Sequence, residues 1–426
     1  MSIQRHNTPL ALGSVKSDSY SDPSPPSAVD RYMVNKLLVL SGRPRIEVQL
    51  WDDSRFQACS ETPIVTMRIN SRNALRSLIF QNEIGFGDCY TEGQVEIVGD
   101  LIEFLCEVFW AKKNAADESG VLLKVLSGVA KQKVRENTLQ GSHSNIHHHY
   151  DLGNDFYTLW LDDQMQYTCA YFPTPELTIE QAQAAKMEHV CRKLMLKPGQ
   201  SVVEAGCGWG GLARYMAVNH GVKVKSYNIS HQQIVYATEC AQAQGLSDQV
   251  TYIEDDYRNI TGEYDVFVSV GMLEHVGIKH YTQLGGVVDR CLKADGRALI
   301  HSIGRNAPEL MSAWIEKRIF PGAYPPTIRE MMDIVEPYNF SVLDIENLRL
   351  HYAETLRHWL YRFDENESAV LDMFDARFVR AWRLYLAGSI AAFLTGSLQL
   401  FQMVFARGLD NSVPMTREHL YRDGGI

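Results

Sequence analysis

The stretch Ser201-Val-Val-Glu-Ala-Gly-Cys-Gly-Trp-Gly-Gly211 decides the fold. Ser201 to Ala205 reads as a short buried strand, and the glycines behind it read as a turn. A helix beginning near Gly211 then takes the chain away. Glycines at 206, 208 and 210 let the backbone pass close to a ligand, and open α/β sheets bind ligands beyond the carboxyl end of a strand. A glycine turn without a ligand is the plain structural alternative.

Working outward, strand and helix patterns alternate. Upstream, Thr178-Ile-Glu-Gln181 is a capping box that starts a helix with Ala184, Met187, Cys191 and Leu194 on one face. Pro198-Gly199 ends it. Downstream come strands at Val222–Tyr227, Val250–Glu254, Tyr264–Val270 and Arg297–Ile303, with a helix from about Ser230 to Ala243. The alternation predicts an α/β class with a parallel sheet covered on both faces. No internal repeat is visible. Residues 1–28 are rich in Ser, Pro and Asp and read as a disordered tail. Residues 29–115 read as a smaller α+β domain, with strands near Ile46–Leu50, Thr66–Ile69 and Val95–Val98 and helices over Ala74–Phe80 and Asp100–Trp110. Residues 116–142 read as a linker with one amphipathic helix, its apolar face formed by Val121, Leu122, Val125 and Val129. Such a helix either packs or lies on a membrane. Residues 143–426 read as the second, larger domain, which carries the glycine turn.

The chain has 426 residues and a formal net charge of −10. That balance argues against a nucleic-acid partner, and any attraction to an anionic membrane must come from a local basic patch. Eight cysteines without a CxxC pair, and no apolar leader in the first thirty residues, predict free thiols in a reducing cytoplasm. Leu384 to Ala406 carries no charge and is long enough to span a bilayer. Ser389, Thr395, Ser397, Gln399 and Gln402 make that costly, so a buried helix lining an apolar channel is the better expectation. Phe320 to Pro326 reads as a rigid loop in an insertion over 304–350, set to cover a substrate entrance. The cluster His143, His147, His148, His149 lacks the spacing of a metal site, and no metal is expected.

Two cofactors fit the glycine turn. Gly206-x-Gly208-x-x-Gly211 also satisfies the dinucleotide fingerprint, which wants an acid at the end of the next strand. That strand ends Lys225-Ser-Tyr-Asn228, without one. Instead, Glu204 stands two residues before the first glycine, and this order resembles the methyltransferase version of the turn. Further stretches resemble the cyclopropane-fatty-acyl-phospholipid and mycolic acid cyclopropane synthases: His149-Tyr-Asp-Leu-Gly-Asn-Asp155, Gln166-Tyr-Thr-Cys-Ala-Tyr-Phe172, Val270-Gly-Met-Leu-Glu-His-Val-Gly277 and Leu299-Ile-His-Ser-Ile-Gly304. With the glycine turn they occur in family order and spacing, from about His149 to at least Arg407.

The resemblance implies a Rossmann-like class I methyltransferase domain with S-adenosylmethionine lying over the turn. It puts Tyr167, Thr168, Gly206 and Gly208 at the methionine part, with Glu204 on the amino group, and counts Trp209 and Gly210 among the cofactor-binding residues. Asn228, Ile229 and Gln233 fall at ribose and adenine, and Asp256 and Tyr257 near the adenine. The family usually has Thr or a similar polar residue where Asn228 stands. It also implies a small cage for bicarbonate from Cys169, Glu274, His301, Ile303 and Tyr352, with Cys169 and Ile303 acting mainly through backbone amides. Each has a plain alternative: a buried small residue for Cys169, a cap or salt-bridge acid for Glu274, a core histidine for His301. Some family members carry a cysteine near the position of Ser389; this chain has serine, so no role is assigned there. The implied reaction is methyl transfer to the cis double bond of an unsaturated phospholipid acyl chain, followed by cyclopropane closure. A methylene- or methyl-branched product and a non-catalytic lipid carrier remain as alternatives. The resemblance further implies a homodimer held peripherally on the inner face of the membrane.

Overall fold

The computed structural model describes residues 24–118, 152–408 and 410–421. The linker helix, the histidine cluster, the start of the His149 motif and most of the N-terminal tail lie outside the described residues.

The N-terminal part runs α1 (Ala28–Leu40), β1 (Ile46–Gln49), β2 (Arg55–Phe56), β3 (Val65–Ile69), α2 (Arg72–Phe80), α3 (Asn82–Thr91), β4 (Val95–Val98) and α4 (Leu101–Glu118). Its sheet has the order β2-β1-β3-β4, with β1 and β3 parallel. β3 alternates buried and half-buried residues, as a strand with one covered face should. α4 runs to Glu118, past the expected boundary at 115.

The second part holds a seven-stranded sheet. Its early elements are α5 (Asn154–Thr158), α6 (Ile179–Leu194), β5 (Ser201–Ala205), α7 (Gly211–His220), β6 (Lys223–Asn228), α8 (His231–Ala243) and β7 (Val250–Glu254). β8 (Tyr264–Val270), α9 (Tyr281–Cys291) and β9 (Leu292–Gly304) follow. The chain closes with α10 (Ala313–Arg318), α11 (Ile328–Val335), β10 (Phe340–Asn347), α12 (Arg349–Glu365), α13 (Glu367–Met373), α14 (Ala376–Leu394) and β11 (Gln399–Arg407). The strand order is β10-β11-β9-β8-β5-β6-β7. β9, β8, β5, β6 and β7 are parallel, while β11 runs antiparallel to both its neighbours. α6 starts with the Thr178–Gln181 capping box and stops at Met195 in the left-handed conformation, three residues before Pro198.

Two expectations need correction. The uncharged stretch 384–406 is not one buried helix: α14 ends at Leu394, Gly396 turns the chain at φ +74°, and 399–407 is strand β11. Eight of the nine β11 residues are buried, so both faces are covered and no period-2 alternation survives to mark a strand. The segment 304–350 is likewise not wholly an insertion, because Phe340–Asn347 forms β10 of the main sheet. No helix among the described residues is long and apolar enough to cross a membrane. All eight cysteines are free.

The N-terminal part is docked on the second through α14 and α10. Arg380 donates from Nε to the Tyr90 carbonyl (2.6 Å) and from Nη2 to the Val95 carbonyl (3.0 Å), and its guanidinium sits 4.4 Å from the centroid of the Tyr90 ring. The Trp314 indole donates to Asp88 at 3.1 Å and lies against Gly87, where an added Cβ would meet ring carbons at 2.3–2.4 Å. Gly87→Ala should therefore push α10 off α3 and destabilise the protein by about 1–3 kcal/mol, the usual range for overpacking. Urea denaturation checks this, and an unchanged midpoint would mean that Trp314 yields without cost.

Candidate active site

The glycine turn leaves β5 where the methyltransferase reading expects it. Gly206 has φ +88° and its Cβ would stand 3.0 Å from that of Met272, so both conformation and space demand glycine. Its amide donates to the Tyr227 carbonyl of β6 at 2.9 Å. Above the turn is a cavity lined by Tyr167, Thr168, Glu204, Gly206, Gly208, Trp209, Asn228, Ile229, Gln233, Asp256 and Tyr257. These are all of the residues expected at the cofactor except Gly210, which does not line it. Gly210 caps α7 instead, and a Cβ there would lie 2.4 Å from the Tyr252 hydroxyl oxygen and 2.7 Å from the Cβ of Ala237.

The lining has the chemistry of an amphipathic, cationic ligand. Glu204 is buried opposite Ser226, whose hydroxyl donates to it at 2.7 Å. Burial pushes its carboxyl up to about 7, against the opposing pull of Ser226, Lys186 and Arg214. Asn228 donates to Gln233 at 2.8 Å and accepts from the Ser230 amide at 3.2 Å. Asp256 caps a 3-10 turn and pairs with Arg258 at 3.2 Å. The Tyr257 hydroxyl is buried without a partner among the described residues. Carboxylates suit an ammonium, amides and hydroxyls suit ribose, and Ile229 and Val276 offer apolar faces for an adenine ring.

Beside this cavity, at the carboxyl ends of β8 and β9, lie the expected cage residues. The Ile303 amide donates to Glu274 Oε1 at 2.5 Å. That amide is thus engaged by a side chain, which corrects its expected role as a direct anion donor. Ile303 is paired with Leu400 of β11, the Leu348 amide donates to the Leu400 carbonyl at 2.8 Å, and the Tyr352 amide donates to the Leu348 carbonyl at 3.2 Å. The Cys169 thiol lies 4.0 Å from the same Leu348 carbonyl. This backbone chain brings Cys169, Glu274, Ile303 and Tyr352 to one neighbourhood. His301 sits two residues up β9, on the face it shares with Ile303.

Two atoms there are buried and without a hydrogen-bond partner among the described residues: Glu274 Oε2 and His301 Nε2. Burial pushes the Glu274 carboxyl up to about 7 and the His301 imidazole down to about 3. Burial also pushes the Cys169 thiol far up, so it is no nucleophile, and the thiol donates to the Ala170 carbonyl at 3.1 Å. The loop expected to cover an entrance touches this site: the Tyr324 amide donates to the Glu274 carbonyl at 2.8 Å, and the Phe320 ring lies 5.5 Å from that of Tyr385.

Other residues here were not singled out in the sequence, although Gln166, Gly271, Met272 and His275 stand inside the motifs quoted from it. Met165, Gln166, Gly271, Met272 and His275 also line the cofactor cavity. Lys186, fully buried, donates to Gln166 at 2.5 Å and to the Thr168 hydroxyl at 2.9 Å, holding the strip that carries Tyr167. It was invisible because α6 is buried nearly all round, whereas charged residues on a patterned helix are read as solvated.

The fold and this site define an S-adenosylmethionine-dependent methyltransferase. The sequence model of mycolic acid cyclopropane synthetase matches residues 137–403, and the chain belongs to that family. A probable fatty acid methyltransferase of Pseudomonas putida is 32% identical over 88% of this chain and 96% of its own. The cyclopropane-fatty-acyl-phospholipid synthase of Escherichia coli K12 is 42% identical over 63% of this chain and 69% of its own. A mycolic acid cyclopropane synthase solved with SAH and CTAB is 27% identical, with a TM-score of 0.59 over 62% of this chain and 97% of that one.

The raised carboxyl has a consequence for stability. Between its ordinary value of 4.5 and the folded value of about 7, Glu274 keeps its proton in the folded chain but not in the unfolded one. The folded state binds more protons, so this group's effect on stability worsens as pH rises through that window. Glu274→Gln removes the penalty. In bicarbonate-free buffer the variant should exceed the wild type by about 1–3 kcal/mol at pH 8 and match it near pH 4.5. Equal stability of the two proteins at both pH values, measured by denaturant titration, would show that this carboxyl ionises freely.

Proposed function

We propose that this enzyme transfers the methyl of S-adenosylmethionine to the cis double bond of an unsaturated phospholipid acyl chain and closes a cyclopropane ring. The observation that carries this reading is the pair of buried atoms without a partner among the described residues, Glu274 Oε2 and His301 Nε2, beside the cofactor cavity. A carboxylate oxygen accepts, and a neutral imidazole offers one N–H and one lone pair. Bicarbonate, with one hydroxyl to donate and oxygens to accept, fits such a pair. When bound, it supplies the base that takes a proton from the newly added methyl.

The chain's own residues serve the remaining requirements. An alkene is a weak nucleophile, and attack on the sulfonium methyl leaves a carbocation on the acyl chain. Aromatic faces stabilise a cation. The region is rich in them: Tyr352 stacks on Phe393 at 4.7 Å, and Trp382 meets Tyr385 at 5.2 Å. Tyr167 and Tyr385 share a hydroxyl hydrogen bond of 2.9 Å, fixing two of the rings. Water must be kept out until the proton leaves, and the loop carrying Phe320 and Tyr324 covers the site. Glu274 is held by the Ile303 amide with one oxygen left for the ion.

The lipid substrate is supported by a second cavity between α3, α10 and α14. Trp314, Ile319, Phe378 and Trp382 give it an apolar lining, and Arg318 and Arg377 stand among its polar residues. In this reading the N-terminal part, residues 29–115, helps to present lipid and orients the enzyme on the cytoplasmic face of a membrane. Exposed Phe80, Val98 and Trp110 offer contacts for it. A second reading keeps the fold and cofactor but ends in a methylene- or methyl-branched chain. The relative named a fatty acid methyltransferase, matched over nearly its whole length, favours it.

One assay separates the two. Purified enzyme is mixed with S-adenosylmethionine, bicarbonate and liposomes of monounsaturated phospholipid, and the fatty acids are examined by mass spectrometry and proton NMR. A product one methylene heavier, with high-field ring protons and no alkene, is expected. A product that retains an alkene would replace ring closure by branching. Glu274→Gln should bind S-adenosylmethionine as the wild type does, by calorimetry, while turnover falls at least about 100-fold, the scale of a lost acid–base or orienting group. Turnover at the wild-type level would sink the cage.

A further inference from the structure

His301 Nδ1 does not face the proposed cage. β9 and β11 are in register with His301 opposite Gln402, and the Gln402 amide nitrogen lies 3.0 Å from His301 Nδ1. The other end of that amide, Oε1, accepts from Lys193 Nζ at 2.7 Å. All three residues are buried.

The donor inventory leaves one arrangement. An ammonium only donates, so the amide end facing Lys193 must be the oxygen. The NH2 end then faces His301, and Nδ1 must present its lone pair. A neutral imidazole with a bare Nδ1 carries its proton on Nε2, the buried atom without a partner among the described residues. The imidazole is neutral because burial, reinforced by the charges of Lys186 and Lys193, pushes it far below its ordinary value. Lys193 is in turn anchored. Its Nζ lies 2.5 Å from Glu346 Oε2, which also bonds His189 Nε2 at 2.7 Å. Burial works to raise the Glu346 carboxyl, but His189 and Lys193 outweigh it and hold it down to about 2. Glu346 is therefore an anion under all working conditions and keeps Lys193 in place.

We propose that Lys193 and Gln402 are positioning residues that fix His301 as the Nε2–H tautomer, so that it always donates toward the ion held by Glu274. This rests on the anion-cage reading above. Without the lock, a histidine in this strand would interchange tautomers and present a lone pair to an anion part of the time. A purely structural role for the Lys193–Gln402 pair would leave the tautomer irrelevant to turnover.

The test uses the full chain with 15N-labelled histidine. Long-range proton–nitrogen NMR reads the tautomer directly, and a His301→Asn sample assigns the signal. The wild type should show a neutral His301 with its proton on Nε2, unchanged from pH 6 to 9. Gln402→Glu puts a carboxylate oxygen against Nδ1, which should move the proton to Nδ1 or charge the ring. Turnover should then fall at least about 100-fold, and half-saturation by bicarbonate should rise, with S-adenosylmethionine affinity unchanged. Gln402→Met, nearly isosteric, removes the lock without reversing it and should cost roughly ten-fold, about 1.4 kcal/mol. A wild-type signal with the proton on Nδ1, or on both nitrogens, overturns the inference even if neither variant folds. So does Gln402→Glu with wild-type turnover. If the tautomer behaves as expected but turnover of wild type and Gln402→Glu alike ignores bicarbonate, the lock stands and the cage reading fails. If wild-type turnover needs bicarbonate while Gln402→Glu changes neither tautomer nor rate, the cage stands and the lock fails.

Discussion

The pairing of β11 between β9 and β10 is the constraint on which the site depends. It sets His301 against Gln402 and Ile303 against Leu400. Through Leu400 it ties down Leu348 at the start of α12, and so Tyr352. A slip of one residue would turn every side chain of β11 to the other face of the sheet. Gln402 would leave Lys193, and the polar chain from Glu346 to His301 would break. Burial on both faces makes such a slip costly, because the polar residues Gln399 and Gln402 have partners only in this register.

The site is built from two kinds of surface. The cofactor cavity is formed by turns at the carboxyl ends of parallel strands, where backbone groups are free to approach a ligand. The proposed cage beside it draws on Glu274 from a 3-10 turn, His301 and Ile303 from β9, and Tyr352 from α12, with Glu274 and His301 buried away from water. Two carboxyls, Glu204 and Glu274, are pushed to about 7 by the same burial, yet they differ in company. Glu204 has Ser226 and feels Lys186 and Arg214. Glu274 accepts from the Ile303 amide on Oε1, and its Oε2 has no hydrogen-bond partner among the described residues. The first can meet a cation, and the second waits for a hydrogen-bond donor.

α6 links these surfaces. Lys186 on one of its turns holds the strip with Gln166 and Thr168, while His189 and Lys193, one and two turns on, meet Glu346. A helix buried on nearly all sides can carry charges only if each is paired. Glu346 serves His189 and Lys193, and Lys186 sits between polar oxygens. The Tyr171 ring, stacked 4.3 Å from His189 and 4.7 Å from His351, closes the outer side of this group.

The sequence by itself determined the strand–glycine turn–helix at 201–220 and the alternation of strands and helices behind it, while the family resemblance pointed to eleven of the residues that line the cavity above the turn. The signals of the fold are local: a buried strand, a glycine where φ must be positive, a capping box four residues long. It misread 384–406 and 340–347, because a strand buried on both faces carries no alternation and an edge strand after a long excursion carries no neighbour in sequence. It placed Gly210 at the ligand, whereas packing against Tyr252 and Ala237 is what requires a glycine there. Only the tertiary structure decided that His189, Glu346, Lys193 and Gln402 form one polar chain reaching His301. Those residues are up to 213 positions apart, Gln402 less His189, and a charge buried by partners distant in the chain looks, in one dimension, the same as a charge in water.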